Sequence, residues 1–296
     1  MIPAHFLKQR QGLPLEAKIV LSQSKIKQFY DHFQGDVYVS FSGGKDSTVL
    51  LDLVRSIYPK VPAVFVDTGL EYPEVREFVK TIDNVTWLKP KMPFTEVIKK
   101  YGYPVISKEQ SRYIRDCQNP TENNVITRRR RMTGIDRFGV QKKSGMISQK
   151  WRYLIDAPFK VGEQCCDVMK KLPVAKYKKE TGRSQFVGTM ASDSSMRTQA
   201  YLRVGCNAFD KGSSQPMAFW LEEDVWDYIK TRNLPYSKIY DTGVKRTGCM
   251  FCMFGVHMEK GKNRFQLMKE THPKLYDYCI NKLGCGKVLD YINVSY

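Results

Sequence analysis

From residue 15 onward the chain alternates between two hydrophobic periods. Ile19, Ile26, Phe29, Tyr30 and Phe33 recur at helical spacing among lysines and glutamines, which predicts an amphipathic helix over residues 15–33. Residues 37–41 (Val-Tyr-Val-Ser-Phe) form a short apolar run, followed by a glycine-rich turn and by residues 47–58, whose leucines and valines predict a buried helix. The β-branched run at residues 61–67 reads as a second strand, residues 71–82 as a helix and residues 85–88 as a third strand. This rhythm predicts a mostly parallel sheet with right-handed crossovers. Further strands are expected at residues 185–188 and near 216–220, and a helix at 222–233, where Leu221, Val225, Trp226 and Ile229 share a face. Trp220 and Trp226 therefore read as core.

The expected fold is α/β: an open, mostly parallel sheet flanked by helices, with a basic insertion and a Cys-rich C-terminal extension. The segments expected are residues 1–34 as a helical lead-in, 35–240 as a nucleotide-binding domain with the insertion at about 108–160, and 241–296 as the extension. Apolar residues make up 42% of the 296, which supports a substantial core and excludes a disordered or fibrous chain. No apolar run reaches the roughly 18 residues of a membrane span and the start is polar and basic, so a cytoplasmic protein with no membrane partner is expected. In that reducing compartment eight cysteines point to metal or sulfur chemistry rather than disulfides. The net charge of +18 is concentrated: residues 108–183 hold 19 Lys and Arg against 8 Asp and Glu, which is +11 of it.

Residues 42–47 (Ser-Gly-Gly-Lys-Asp-Ser) lie between a predicted strand and a predicted helix. Glycines there allow a sharp turn, and the N–H groups of a helix start can hold phosphate. Lys45 adds a mobile positive charge. Asp46 would repel phosphate unless Mg²⁺ sits between, so the pattern points to a metal–nucleotide ligand. The spacing is not that of a Walker A loop. Residues 41–48 resemble the pyrophosphate loop of the ATP pyrophosphatase (adenine nucleotide alpha hydrolase) superfamily, and residues 64–73 resemble the Asp-Thr-Gly segment of its phosphoadenosine-phosphosulfate (PAPS) reductase branch. The resemblance implies that Ser42, Gly43, Gly44, Lys45, Asp46, Ser47 and Asp67 meet ATP, with Lys45 and Asp46 also serving the reaction.

Cys165 and Cys166 precede the Cys249-x-x-Cys252 pair by about eighty residues. Four such thiolates can hold zinc or a 4Fe-4S cluster. Adjacent cysteines are uncommon in structural zinc knuckles, and the whole set is similar to the cluster-binding pattern of assimilatory adenylylsulfate reductases, which implies the cluster, with zinc as the alternative. Cys117 and Cys206 read as core thiols. Cys279 and Cys285 lie near Lys282 and Lys287, whose charge would lower a thiol pKa, so both are candidate reactive groups.

Two departures from the reductase pattern decide the expected reaction. Sulfonucleotide reductases carry a degenerate loop and end in Glu-Cys-Gly-Leu-His, whereas this chain has the intact loop and lacks that tail. Where they read Gly-Leu-Arg-Arg-x-x-Ser, residues 188–194 read Gly-Thr-Met-Ala-Ser-Asp-Ser, leaving Arg197 as the nearby arginine for an anion. The chain thus resembles transfer-RNA thiolation and DNA-phosphorothioation enzymes, which implies ATP-dependent adenylation followed by sulfur transfer. Arg128, Arg129, Arg130, Arg131, Arg137, Lys142 and Lys143, followed by Lys150 and Arg152 and interleaved with Phe138, Trp151 and Tyr153, suggest a nucleic-acid acceptor, tRNA or DNA. The alternative is a solvated basic loop or a dock for an acidic protein. A cysteine desulfurase as sulfur donor and a homo-oligomer are further expectations. Two other readings stand beside this one: a sulfonucleotide reductase releasing sulfite, and a non-catalytic nucleotide- and nucleic-acid-binding module.

Overall fold

Among the described residues eight short strands organise the fold: β1 (Val37–Ser40), β2 (Ala63–Val66), β3 (Val85–Leu88), β4 (Val105–Ile106), β5 (Ser184–Val187), β6 (Asn207–Ala208), β7 (Ser213–Ser214) and β8 (Met253–Phe254). The computed structural model describes residues 2–142 and 144–296, so the Lys143 expected at a nucleic-acid interface lies outside the described residues. Six strands form one sheet in the order β3-β2-β1-β5-β7-β6, parallel except for the β6 edge, with Val39 opposite Ala63 on one side and Phe186 on the other. Val37, Tyr38 and Val39 are all fully buried, because both faces of a parallel sheet are covered. Phe29, on the helix Leu15–His32, packs 5.0 Å from Phe186. Tyr177 meets Tyr38 edge-on at 5.2 Å from the opposite face.

The sheet expected from the hydrophobic pattern is present. The predicted helices appear as Leu15–His32, Lys45–Arg55, Pro73–Lys80 and Glu222–Thr231. Residues 216–220 are a correction: they form a buried turn, not a strand, with the Ala218 N–H donating to the Gln215 carbonyl and the Trp220 N–H to that of Met217. A continuous apolar run reports burial, and Pro216 has no N–H to give a ladder. The inward row of Leu15–His32 also differs from an apolar stripe. It is Lys18, Ser22, Ile26 and Phe29, with Lys18 Nζ 2.6 Å from Asp224 and Ser22 Oγ accepting from Trp220 Nε1 at 2.9 Å.

The chain divides into two compact units that interleave in sequence. The first comprises residues 1–67, 71–89 and 174–247 and contains the six-stranded sheet. The second comprises residues 68–70, 90–173 and 248–296. There β4 and β8 pair in parallel, Val105 opposite Met253 and Ile106 opposite Phe254, so the segment around residue 105 and the Cys249–Cys252 region are held together. No helix among the described residues is long and apolar enough to cross a membrane.

Candidate functional site

The chain runs from β1 outward to β2 and β3 on one side and returns on the other side with β5, so the order reverses at β1. Open α/β sheets bind ligands beyond the strand C-termini at such a point. Residues 42–47 lie there, Asp67 directly follows β2, and Gly188 directly follows β5. Gly43 adopts φ +71°, and Gly44, extended at φ −83°, caps the helix Lys45–Arg55. Ser47 Oγ accepts from the Ser42 N–H at 3.1 Å and donates to the Gly44 carbonyl at 2.8 Å, fixing the turn. A Cβ at Gly188 would come within 2.9 Å of the Asp46 carbonyl oxygen, so only glycine lets β5 end against the helix start.

Lys45 is 4% exposed, with Nζ 2.9 Å from Asp46 Oδ1 and 3.3 Å from Glu222 Oε1. Burial alone would push its ammonium pKa down; Asp46 and Glu222 more than offset this and hold it above the ordinary value. Burial also pushes the Asp46 carboxyl up, against the pull of Lys45 and with Asp193 and Glu222 adding to the rise. Two carboxyl groups thus share one buried ammonium, and a third, Asp193, adds to the negative field at Asp46, an environment that a divalent cation would relieve and that metal-free polyphosphate would worsen. These groups fit Mg²⁺·ATP in their chemistry, although among the described residues no three His, Cys, Asp or Glu side chains are arranged to hold an ion. Tyr240 donates nothing to the sheet but accepts the Lys45 N–H through its hydroxyl at 2.9 Å. Arg76 pairs with Asp67 at 2.9 Å, and Arg197 pairs with Asp193, which itself accepts the Met190 N–H. Gly188 and Asp193 lie in the segment 188–194 compared above with the reductase motif, whereas Glu222 carries no motif of its own and only the fold brings it to the loop.

Gly43→Ala is expected to lower the unfolding free energy by about 2–4 kcal/mol, because the left-handed backbone and overpacking act together. Its Cβ would stand 2.7 Å from methyls of both Val75 and Val79. Gly139, at φ +81° in open space, is the control, and Gly139→Ala should lose only about 1–2 kcal/mol in the same urea titration.

Cys165, Cys166, Cys249 and Cys252 line one pocket of the second unit together with Leu70, Phe94 and Phe251. The adjacent pair opens a helix whose first turns widen to π geometry at Asp167–Lys171. Pro173 explains the widening, since it lacks the N–H for the Met169 carbonyl and its ring crowds that oxygen. The Cys165 thiol is held high by its hydrogen bond to Cys166 and by burial, while the same bond, with Lys108 and Lys170, holds Cys166 low. Burial raises Cys252, opposed by a hydrogen bond from the Phe254 N–H and by Arg264 and Lys108. Arg264 also donates to the Cys252 carbonyl at 3.1 Å. Four thiols lining one apolar pocket, with Lys108 and Lys170 near Cys166 and Arg264 and Lys108 near Cys252, suit a thiolate-held metal centre in their chemistry, although among the described residues they are not arranged to hold an ion. Ile106, paired with Phe254, sits at φ +62°, a costly conformation for a β-branched residue.

Cys279 and Cys285 depart from expectation. Both are fully buried, and burial and the hydrogen bond between them raise the Cys279 thiol instead of lowering it. Cys279 therefore lacks both the access and the thiolate character that a nucleophile needs, and Cys285 lacks the access. Burial likewise raises Cys117, which is only partly buried, and it pushes the buried Cys206 up to about 11, in keeping with a core thiol at Cys206.

The basic segment is partly tied down. Arg131 pairs with Asp116 at 3.0 Å and lies over the Tyr113 ring at 3.8 Å; Arg128 donates to Asn124, Arg129 to the Asp136 carbonyl and Arg130 to that of Ser144. Arg137 lies 4.6 Å over Phe138, which is 74% exposed. Lys142 holds the Asp136 carboxylate at 2.9 Å, and with the Val140 and Phe138 N–H groups lowers its pKa to about 2. Because the folded value lies below the unfolded one of about 3.9, this contribution to stability is complete above that pH and disappears as pH falls through about 2. The protection of the Phe138 and Val140 amides, taken relative to their intrinsic exchange rate at each pH, should therefore fall across that acid window, and Asp136→Asn should remove that pH dependence.

The sequence model described as the phosphoadenosine phosphosulfate reductase domain matches residues 36–119 and 105–254, well over half of the chain. An uncharacterized protein of Methanocaldococcus jannaschii is 27% identical over 264 residues, covering 87% of this chain and 43% of that protein. The adenosine 5'-phosphosulfate reductase of Staphylococcus epidermidis is 25% identical over 234 residues, 77% of this chain and 74% of that enzyme. The chain spans 43% and 52% of the first two curated relatives it matches, about half their length. Among solved structures, the PAPS reductase of Candida auris in a phosphate complex superposes with a TM-score of 0.45 and 17% identity, covering 83% of this chain and 92% of that one.

Proposed function

The chain belongs to the phosphoadenosine phosphosulfate reductase domain family, and on that premise we propose that it is an ATP-dependent adenylating enzyme that supports sulfur transfer to a nucleic acid. The observation that carries this reading is the intact loop at residues 42–47, with buried Lys45 between Asp46 and Glu222 at the start of a helix. A site that only held a finished sulfonucleotide would have no use for a carboxyl group inside its anion loop. One that cleaves Mg²⁺·ATP does.

In the first step an acceptor oxygen attacks the α-phosphorus of ATP; the new P–O bond forms as the bond to the β-phosphate oxygen breaks, and pyrophosphate leaves. Lys45 and the first-turn amides stabilise the charge that builds on the leaving group, and Asp46 is the group placed to face Mg²⁺. Sulfur then attacks the carbon bearing the adenylated oxygen, the C–O bond breaks and AMP departs. Adenylation turns a poor leaving group into a good one. Cys165, Cys166, Cys249 and Cys252 would hold a 4Fe-4S cluster, or zinc as the alternative, and a cluster there would offer a place to bind sulfide. Incorporation of labelled pyrophosphate into ATP by the holo-protein tests the first step, and its absence with every acceptor tried would count decisively against the reading.

The reductase names among the relatives favour a second reading, reduction of adenylylsulfate to sulfite. Sulfite released from adenylylsulfate and a thiol without ATP would select it.

A further inference from the structure

The second unit contains a cavity of about 510 Å³ that neither the loop nor the cysteine set explains. This lies within the range of about 300–1,000 Å³ usual for small-molecule sites. Its walls come from three distant stretches: Lys150, Trp151 and Tyr153; His257 and Gln266; and Asn293 near the end. The first stretch closes the basic segment and alternates cation and ring, Lys150, Trp151, Arg152 and Tyr153.

Each wall offers something particular. Trp151 is already in use, with Lys150 Nζ 4.7 Å from its ring and the His257 ring edge-on at 5.1 Å. Tyr153 is 38% exposed, leaning on Tyr291 at 5.6 Å, and so presents an aromatic face. His257 Nδ1 is buried with no hydrogen-bond partner among the described residues. An orphaned ring nitrogen in a wet cavity costs free energy unless a ligand or water meets it. Burial, with Lys150 adding to it, holds His257 below its ordinary pKa, so near neutral pH the ring is uncharged and has one donor and one acceptor nitrogen. Gln266 spends its carbonyl on the Asn263 N–H, which leaves its NH₂ group for a ligand. Asn293 stands exposed at φ +53°. The other polar walls are committed: Asn263 caps a helix and donates to the Ser295 carbonyl, and Glu259 pairs with Arg264.

A flat ligand with a stacking face and an edge of donors and acceptors suits these walls, and a phosphate at its rim would suit Lys150. We propose that the cavity receives one unpaired nucleobase of a nucleic-acid strand, stacked on Tyr153, with its edge met by His257 Nδ1 and the amides of Gln266 and Asn293. The proposal rests on reading the acceptor as a nucleic acid, and it names where the strand is held. A duplex cannot offer such a base without paying to unpair it.

The test is fluorescence anisotropy of the holo-protein with a labelled single-stranded oligonucleotide of mixed sequence and with its duplex. Tyr153→Ala should weaken single-strand binding by about 5- to 100-fold, the loss of one stacked base, and leave the duplex unchanged. Tyr153→Phe should bind as wild type, and Asn293→Gly, which tolerates the left-handed backbone, should weaken the single strand as well. The slope of log K against log salt should not change for Tyr153→Ala, because the phosphate contacts remain. Wild-type affinity in both folded variants would overturn the proposal. So would displacement by free nucleoside monophosphates as effective as by the strand, since the cavity would then serve a free nucleotide. Pyrophosphate exchange by the wild type together with strand binding indifferent to Tyr153 removes this cavity alone; Tyr153-dependent binding without exchange supports the cavity and removes the adenylation reading.

Discussion

Lys45→Ala is expected to lower ATP–pyrophosphate exchange by about 100- to 1,000-fold, the usual loss when one preorganised charge donor is taken from a developing anion. The side chain is 4% exposed and is held between Asp46 and Glu222, so the ammonium is already positioned and largely desolvated before a nucleotide arrives. Its removal also leaves the half-buried Asp46 carboxyl without its cation, which raises the pKa of that group further and weakens its hold on Mg²⁺. Lys45→Arg restores charge but not the compact ammonium, and should recover little of the rate. Exchange is measured alongside the urea midpoint, so that loss of chemistry and loss of fold are read separately. An exchange rate within tenfold of wild type in the folded Lys45→Ala variant would remove the loop from the reaction.

Cys165→Ser and Cys249→Ser, each alone, should reduce bound iron from about four per chain to less than half of that and abolish the broad visible absorption of the anaerobically purified protein. The four thiols line a single pocket, and Cys165 and Cys166 are already linked through a shared hydrogen, so removal of one ligand disturbs its neighbour. Cys206→Ser and Cys279→Ser serve as controls, since those sulfurs are buried away from the pocket lining and should leave the iron unchanged. Zinc in place of iron in the wild type would keep the ligand set and discard the cluster.

Much of this architecture was legible in the chain because a parallel sheet buries its strands on both faces. The runs at β1, β2, β3 and β5 are dense in apolar residues, and their alternation with helices fixes the topology. The edge strand β6 and its neighbour β7 were invisible for the opposite reason, being two residues each of Asn, Ala and Ser, while the strongly apolar residues 216–220 fold as a turn. Lys18 breaks the apolar stripe of its helix, and only the position of Asp224 more than two hundred residues later accounts for it.

The site was legible in its motifs but not in its surroundings. Glycines 43 and 44, Lys45 and Asp46 declare themselves by local spacing, as do the four clustered cysteines. Glu222 reaches the loop through packing that no local pattern encodes, and so do Lys108 and Arg264 near the cysteines. The lysine neighbours of Cys279 say nothing of its surroundings, where the hydrogen bond to Cys285 and burial hold its thiol high.

The central claim is that this loop cleaves ATP between its α- and β-phosphates on behalf of an acceptor. The most direct measurement is release of labelled AMP from α-labelled ATP by the anaerobic holo-protein with Mg²⁺, a sulfide source and single-stranded nucleic acid. The account predicts AMP and pyrophosphate in equal amounts, dependent on the nucleic acid and lost in Lys45→Ala. No AMP under these conditions, with sulfite formed from adenylylsulfate in the absence of ATP, would contradict it.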